Sequence, residues 1–283
     1  MQTITVQHTT RYEYVRAVHL HRHRLVMRPR EGHDLRIEQM TLRIEPEHAV
    51  TWVRDVFGNS IAWVDFPQPA AALLVESDVV ISRLAPFPTQ EMHLPARVPY
   101  PVSYDPLELP VVSAYLAPSF TDDEATLQAW LKGQLKIDLA DTEGTVLALA
   151  RLIHQRITYR RREEKGVQTP AQTLTLLSGS CRDMATLMMD CCRVLGVAAR
   201  FVSGYLHGPA SLAGRASTHA WAEIYLPSLG WRGFDPTLAR GTSYHHIVTG
   251  VSNHPRGVMP ISGTYAGARA DFSGMTVSVR TAE

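Results

Sequence analysis

Apolar and polar positions alternate along much of the first 85 residues, which predicts strands. Tyr12 and Tyr14 alternate, as do Leu35 and Ile37, and then Met40, Leu42 and Ile44. The parity changes between Ile37 and Met40, so a bulge or strand break is expected there. Asp55-Val56-Phe57-Gly58-Asn59-Ser60 reads as a turn ahead of a strand over 61–66, and another strand covers 73–81. Strands divided by turn signals, with no helical period, predict a β-sandwich.

Residues 86–110 hold seven of the chain's 18 prolines. Proline fixes φ and removes a donor, so this stretch is neither a long helix nor a central strand. It is expected to be an extended connector, which divides the chain into an N-terminal β-sandwich domain (1–105) and a second domain (106–283).

The period then becomes helical. Thr121-Asp122-Asp123-Glu124 has the form of a capping box ahead of Leu127, Trp130, Leu131 and Leu135. Val146, Leu149, Ile153 and Ile157 mark a second helix, and Thr169-Pro170-Ala171-Gln172 opens a third, expected to stop at Gly179. A fourth starts at Cys181, with Ser180 as N-cap and Asp183 as its capping-box acid. Met184, Leu187, Met188, Cys191 and Leu195 form its buried stripe, and Gly196 ends it. Strands follow, two of them around Pro227-Ser228-Leu229-Gly230. Helices first and antiparallel strands second make this half α+β.

Cys181 is the position with chemical promise. A helix N-terminus supplies partial positive charge and free N–H groups, which favour a thiolate and could receive an oxyanion. Cys191 and Cys192, in mid-helix, read as structural. A thiolate nucleophile needs a base, and the base needs an orienting group. His219, Trp221, Glu223 and Tyr225 share one face of a strand. His219 and Asp235 are an even number of residues apart, so a hairpin pivoting near Pro227 sets them opposite each other on one face, with Trp221 opposite Gly233.

Composition narrows the function classes. Hydrophobic residues are 45% of the chain and charged residues 19%, an ordinary globular balance. With 28 basic and 27 acidic residues the net charge is +1, which argues against a nucleic-acid partner held by blanket electrostatics. No apolar run is long enough for a membrane span. Without a secretory-type leader, a cytoplasmic location is expected. Three cysteines without C-x-x-C spacing make neither a disulfide framework nor a structural zinc site.

Four blocks resemble the transglutaminase-like superfamily, bacterial branch. They are Gly179-Ser180-Cys181-Arg182-Asp183, the run from Leu195 to Tyr205, His219-Ala220-Trp221-Ala222-Glu223, and Gly230-Trp231-Arg232-Gly233-Phe234-Asp235-Pro236-Thr237. The resemblance spans about residues 140–262. Arg24-Leu25-Val26-Met27-Arg28-Pro29-Arg30 and Asp55-Val56-Phe57-Gly58-Asn59 resemble the β domain that precedes the core in this branch. The resemblance implies a papain-like fold, with Cys181 as nucleophile, His219 as base and then acid, and Asp235 as orienter. It implies acyl transfer from a peptide or side-chain amide through a thioester, resolved by water or by an amine, with no cofactor. The alternative is a silent binding or scaffolding module. This chain departs from the family pattern at Asp183-Met184 and at Gly257-Val258-Met259-Pro260, which bears on pocket shape.

Tyr159, Gln168 and Gln172 are candidate second donors to the oxyanion. His19, His21 and His23 alternate, but no further ligand type joins them, so they are read as a solvated strand. Arg22, Arg24, Arg28 and Arg30, and Arg160, Arg161 and Arg162, are read as solvated surface. The His246-Ile247 pair, also shared with the family, is read as structural and near the site.

Overall fold

The computed structural model describes residues 2–84, 97–162, 166–208 and 217–282. The alternating N-terminal pattern becomes six strands: β1 (Gln2–Leu20), β2 (His23–Leu25), β3 (Leu35–Glu45), β4 (Ala49–Arg54), β5 (Ser60–Asp65) and β6 (Ala70–Arg83). The register of β3 against β6 shifts between Ile37 and Gln39, where the parity break predicts a bulge. The Asp55 carboxylate accepts the Phe57 and Asn59 N–H groups, and Gly58 takes φ +74°, which forms the turn before β5.

Prolines 86, 88 and 95 lie outside the described residues. The second half of the proline-rich segment is packed down: Val98, Tyr100 and Val102 lie against the main core, and Thr142 bonds the carbonyls of Val98 and Pro99. Pro110 falls within the short helix α1 (Leu109–Val112). Next come α2 (Glu124–Gln134), α3 (Thr142–Arg156), β7 (Thr158–Tyr159), α4 (Pro170–Leu176), β8 (Ser178–Gly179) and α5 (Cys181–Val194). The expected capping box at Thr121 does not form. Thr121–Asp123 is a 3₁₀ turn, and the Asp123 carboxylate instead accepts the Ala171 N–H at the start of α4. The third helix ends at Leu176, three residues before Gly179. Leu177 takes the left-handed conformation that closes it, which frees 178–179 to pair with β7.

The remaining strands are β9 (Ala199–Leu206), β10 (Ser217–Leu226), β11 (Gly230–Asp235), β12 (Arg240–Gly241), β13 (His246–Ser252), β14 (Ile261–Ser262), β15 (Tyr265–Ala266) and β16 (Phe272–Ala282). Three main sheets result. One runs β12-β11-β10-β9-β13 and is antiparallel throughout. Helix α5 packs on it through Met184, Leu187, Met188 and Cys191, against Ala220, Ala222 and Ile224. The second runs β3-β6-β1, and both β15 and β16 pair with β1; the third runs β14-β2-β5-β4. Tyr14, Val18, Leu73 and Val75 of the second sheet pack on Leu25, Ala62 and Val64 of the third, which makes the predicted sandwich. The other end of the long sheet packs Ile4, Val6, Val79 and Ile81 onto Tyr205 and Ile247 of the first. The fold class is therefore α+β, as read from the pattern.

The expected unit 106–283 does not close on itself, because β14, β15 and β16 lie in the sheets of the N-terminal region. Alternation in 272–282 says that a strand exists there but not which edge it joins. Two arginines expected to be solvated surface, Arg24 and Arg30, are not. Arg24 donates to the Gly257 carbonyl and pairs with Asp55, while Arg30 donates to the Phe57 carbonyl and the Asn59 side chain. Asn59 in turn exchanges two hydrogen bonds with the backbone of Val251 in β13. His23 is buried while His19 and His21 are exposed, so the three do not share a face. Met184 and Val258 are core residues.

Gly204 of β9 has no room for a side chain: a Cβ there would run into the Ile247 carbonyl and lie 2.9 Å from the Trp221 ring. Gly133 in α2 faces open space. Gly204→Ala is therefore expected to cost about 2 kcal/mol, and Gly133→Ala to gain a few tenths, up to about 1 kcal/mol. Urea unfolding of the two variants, side by side, measures both.

Candidate active site

Helix α5 begins where Ser180 bonds Asp183 through both its N–H and its hydroxyl, each at 2.8 Å. The fully buried Asp183 carboxylate also accepts the Gln168 N–H at 2.7 Å and the Arg162 guanidinium at 2.8 Å. This anchor fixes the first turn and leaves Cys181 half-buried at its open end. Parallel pairing of β7 with β8 sets Tyr159 beside Gly179, two residues before the thiol.

His219 comes from β10 and Asp235 from the end of β11. His219 Nε2 lies 2.7 Å from Asp235 Oδ2. Cys181 is also near enough to the His219 ring to help hold its proton. The three residues named from the sequence are thus brought together. The register differs from the expected one by two residues. Leu226 pairs with Gly230 and Glu223 with Gly233, so the turn centres on Ser228, and Asp235 falls level with Trp221. An even displacement keeps both side chains on the same face, so the juxtaposition survives. Thr237, in the turn after β11, has its hydroxyl 3.4 Å from the His219 ring.

Asp235 has no exposed surface, yet its carboxylate accepts four donors. Oδ1 takes the N–H and the hydroxyl of Thr237, at 2.8 and 2.6 Å. Oδ2 takes His219 and, at 3.1 Å, His246 Nε2. Burial pushes its carboxyl upward, but the two histidines outweigh that and hold it well below the usual carboxylate range. For His219, burial pulls the ring down, while Asp235 and the Cys181 contact raise it to about 10. The result is a charged pair of imidazolium and carboxylate.

His246 was placed near the site by the sequence, as a structural residue; the structure sets it directly on Asp235. Trp221 packs beside both rings, 6.2 Å from His219 and 5.1 Å from His246, edge to face on the latter. The nitrogens of the two histidines and a carboxylate oxygen of Asp235 lie within 4.8 Å of one another, the one set of three metal-ligand types found so close among the described residues. Those atoms already bond one another, with Oδ2 receiving both nitrogens. Among the candidate oxyanion donors, Gln172 is committed to the Thr169 N–H as the capping-box partner of α4. The Gln168 carbonyl oxygen accepts the Thr173 hydroxyl. Tyr159 has its phenol raised by burial and then by Cys181, which places it in electrostatic reach of the thiol. Cys191 and Cys192 are wholly buried, and burial pushes the Cys192 thiol up to about 12. No helix among the described residues is long and apolar enough to cross a membrane.

Residues 4–82 match the family model described as the bacterial transglutaminase-like N-terminal region, and residues 112–236 match that of the transglutaminase-like superfamily. The Mycobacterium tuberculosis protein Rv2569c, itself uncharacterized, is 28% identical over 285 residues, covering 91% of this chain and 86% of that one. Among solved structures, one described as "a Putative Cysteine Protease from Cytophaga hutchinsonii" aligns with a TM-score of 0.72 at 17% identity, over 99% of this chain and 91% of that one. This likeness shows the same fold.

The pair has a pH signature. A His219 held above its ordinary value of about 6.5 contributes stability in full below that pH and loses it as pH rises toward about 10. A depressed Asp235 contributes above about pH 4 and loses its share as pH falls below that. The melting-temperature advantage of the wild type over Asp235→Asn is therefore expected to peak between about pH 4 and about pH 6.5. It should shrink on both sides; a thermal-melt series across pH reads it directly.

Proposed function

The chain belongs to the transglutaminase-like superfamily, and from that premise we propose that it is a cysteine enzyme that transfers the acyl group of a peptide or side-chain amide through a thioester. The observation that supports this most is the 2.7 Å bond between His219 and the buried Asp235, with Cys181 at the start of α5 near enough to raise the His219 ring.

In this reading His219 takes the thiol proton and stands as imidazolium beside a thiolate, with the start of α5 adding its own positive field. The sulfur attacks the amide carbonyl, and the C–S bond forms as the carbonyl becomes an oxyanion. The Cys181 N–H, one of those a helix start leaves without an intrahelical partner, faces that oxygen. The Tyr159 hydroxyl is the second donor in this proposal. Imidazolium then gives its proton to the departing amine as the C–N bond breaks, leaving the thioester. Neutral His219 next deprotonates the resolving nucleophile: water gives an acid and restores the thiol, and an amine gives a new amide. Asp235 stays ionised throughout and holds the ring in place. The three free cysteines agree with a reducing, cytoplasmic setting.

Iodoacetamide is expected to alkylate Cys181 rapidly well below the free-thiol value of about 8.5, and the buried Cys191 and Cys192 only on unfolding. His219→Ala should remove that low-pH reactivity. On amide substrates, Cys181→Ala should abolish turnover and Asp235→Asn should lower it by about a hundredfold or more, both with the fold retained. Mass spectrometry of each cysteine against pH is the deciding measurement. A Cys181 as slow as a free thiol in the wild type would refute the reading.

A further inference from the structure

The proposed triad does not account for everything that holds Asp235. His246 lies on the same carboxylate oxygen as His219, and it is 5% exposed. Its ring has a fixed sense. The Ser243 N–H donates to Nδ1 at 3.1 Å, so Nδ1 carries no proton. The proton of the neutral ring is then on Nε2, and it points at Asp235 Oδ2. Burial lowers His246 below its ordinary value more than Asp235 raises it, and His219 and Arg240 add to the lowering, so the ring is neutral. A neutral N–H donor beside an imidazolium satisfies the buried carboxylate without competing for its charge.

His246 is in turn held from another sheet. Arg83, at the end of β6, is 7% exposed and donates to the backbone carbonyls of His246 and, at 2.9 Å, Tyr244. Its Nη1 donates to Asp34 at 2.9 Å, just ahead of β3. A guanidinium fork can serve two carbonyls and a carboxylate in one plane, which a lysine cannot. The charged and titratable groups facing His246 are thus Asp235 of β11, His219 of β10, Arg240 beside it and Arg83 of β6.

We propose that His246 is a positioning residue for the triad. It locks the Asp235 carboxylate toward His219, and Arg83 of the N-terminal sheet locks His246 in place. The N-terminal region thereby sets the reactivity of the cysteine and not only access to it. This rests on the triad reading above. Without the His246 donor, Oδ2 keeps His219 as its one hydrogen-bond partner, and the carboxylate is held only by that bond and by Thr237 on Oδ1. The imidazolium then loses part of its support, and the thiolate with it.

The test is the pH profile of Cys181 alkylation by iodoacetamide, with thermal melts to confirm folding. His246→Leu, which has no donor, is expected to raise the thiolate midpoint by about one pH unit toward the free-thiol value. His246→Gln, which keeps an N–H donor, is expected to restore most of it, a rescue that a space-filling role would not give. Arg83→Lys is expected to shift the midpoint in the same direction as His246→Leu by a smaller amount. A folded His246→Leu with the wild-type midpoint overturns the role of His246. A folded Arg83→Lys with the wild-type midpoint overturns the link to the N-terminal sheet. Absence of low-pH reactivity in the wild type overturns the triad reading itself and this inference with it, so the failures are told apart.

Discussion

Everything around the site follows from a carboxylate charge placed where no water reaches it. An ionised side chain in that position is tolerable only if donors replace its hydration. Asp235 is surrounded accordingly: a threonine two residues on supplies a backbone and a hydroxyl donor, and two imidazoles supply the rest. The donors come from three pieces of local structure, so strands β10, β11 and β13 must all be in register for the charge to survive burial. The glycine at 204 serves the same end, because β9 must leave room for the Trp221 ring that packs beside both histidines. The packing of one sheet is therefore largely dictated by one anion.

That sheet is braced from the N-terminal region by bonds with little freedom. Arg30, Asn59 and Val251 form one set of ties, Arg24 and Gly257 a second, and Arg83 with 244–246 a third. All three meet the backbone of the segment from 244 to 257, the run that carries His246. Phe57, at the turn before β5, packs on Trp221 and Val251 from the same side. The family-like blocks in the N-terminal region make the first two of these sets, which gives them a physical reason for their composition.

The sequence carried the parts of this whose cause is local. The Ser180–Asp183 box and the stripe of α5 are short-range patterns, and they placed Cys181 at a helix start. Parity along β10 and β11 placed His219 and Asp235 on one face, although the turn lies further along than the pattern suggested. Parity is robust to an even slip, and that is why the site was legible where the register was not. What could not be read is long-range. Nothing in 272–282 says that it lies along β1, and an arginine closing β6 gives no hint that its partners are carbonyls more than 160 residues away. The box at Thr121 failed for the same reason, since Asp123 found a better use at the neighbouring helix.

Strand β1 has β6 on one edge and β15 and β16 on the other, so its second edge is supplied by residues 265–282. A ribosome delivers those residues long after β1. Until they arrive, a 19-residue strand presents an open row of amides and carbonyls, the kind of edge that recruits other chains. The nascent protein therefore passes through a period in which its longest strand is half-paired.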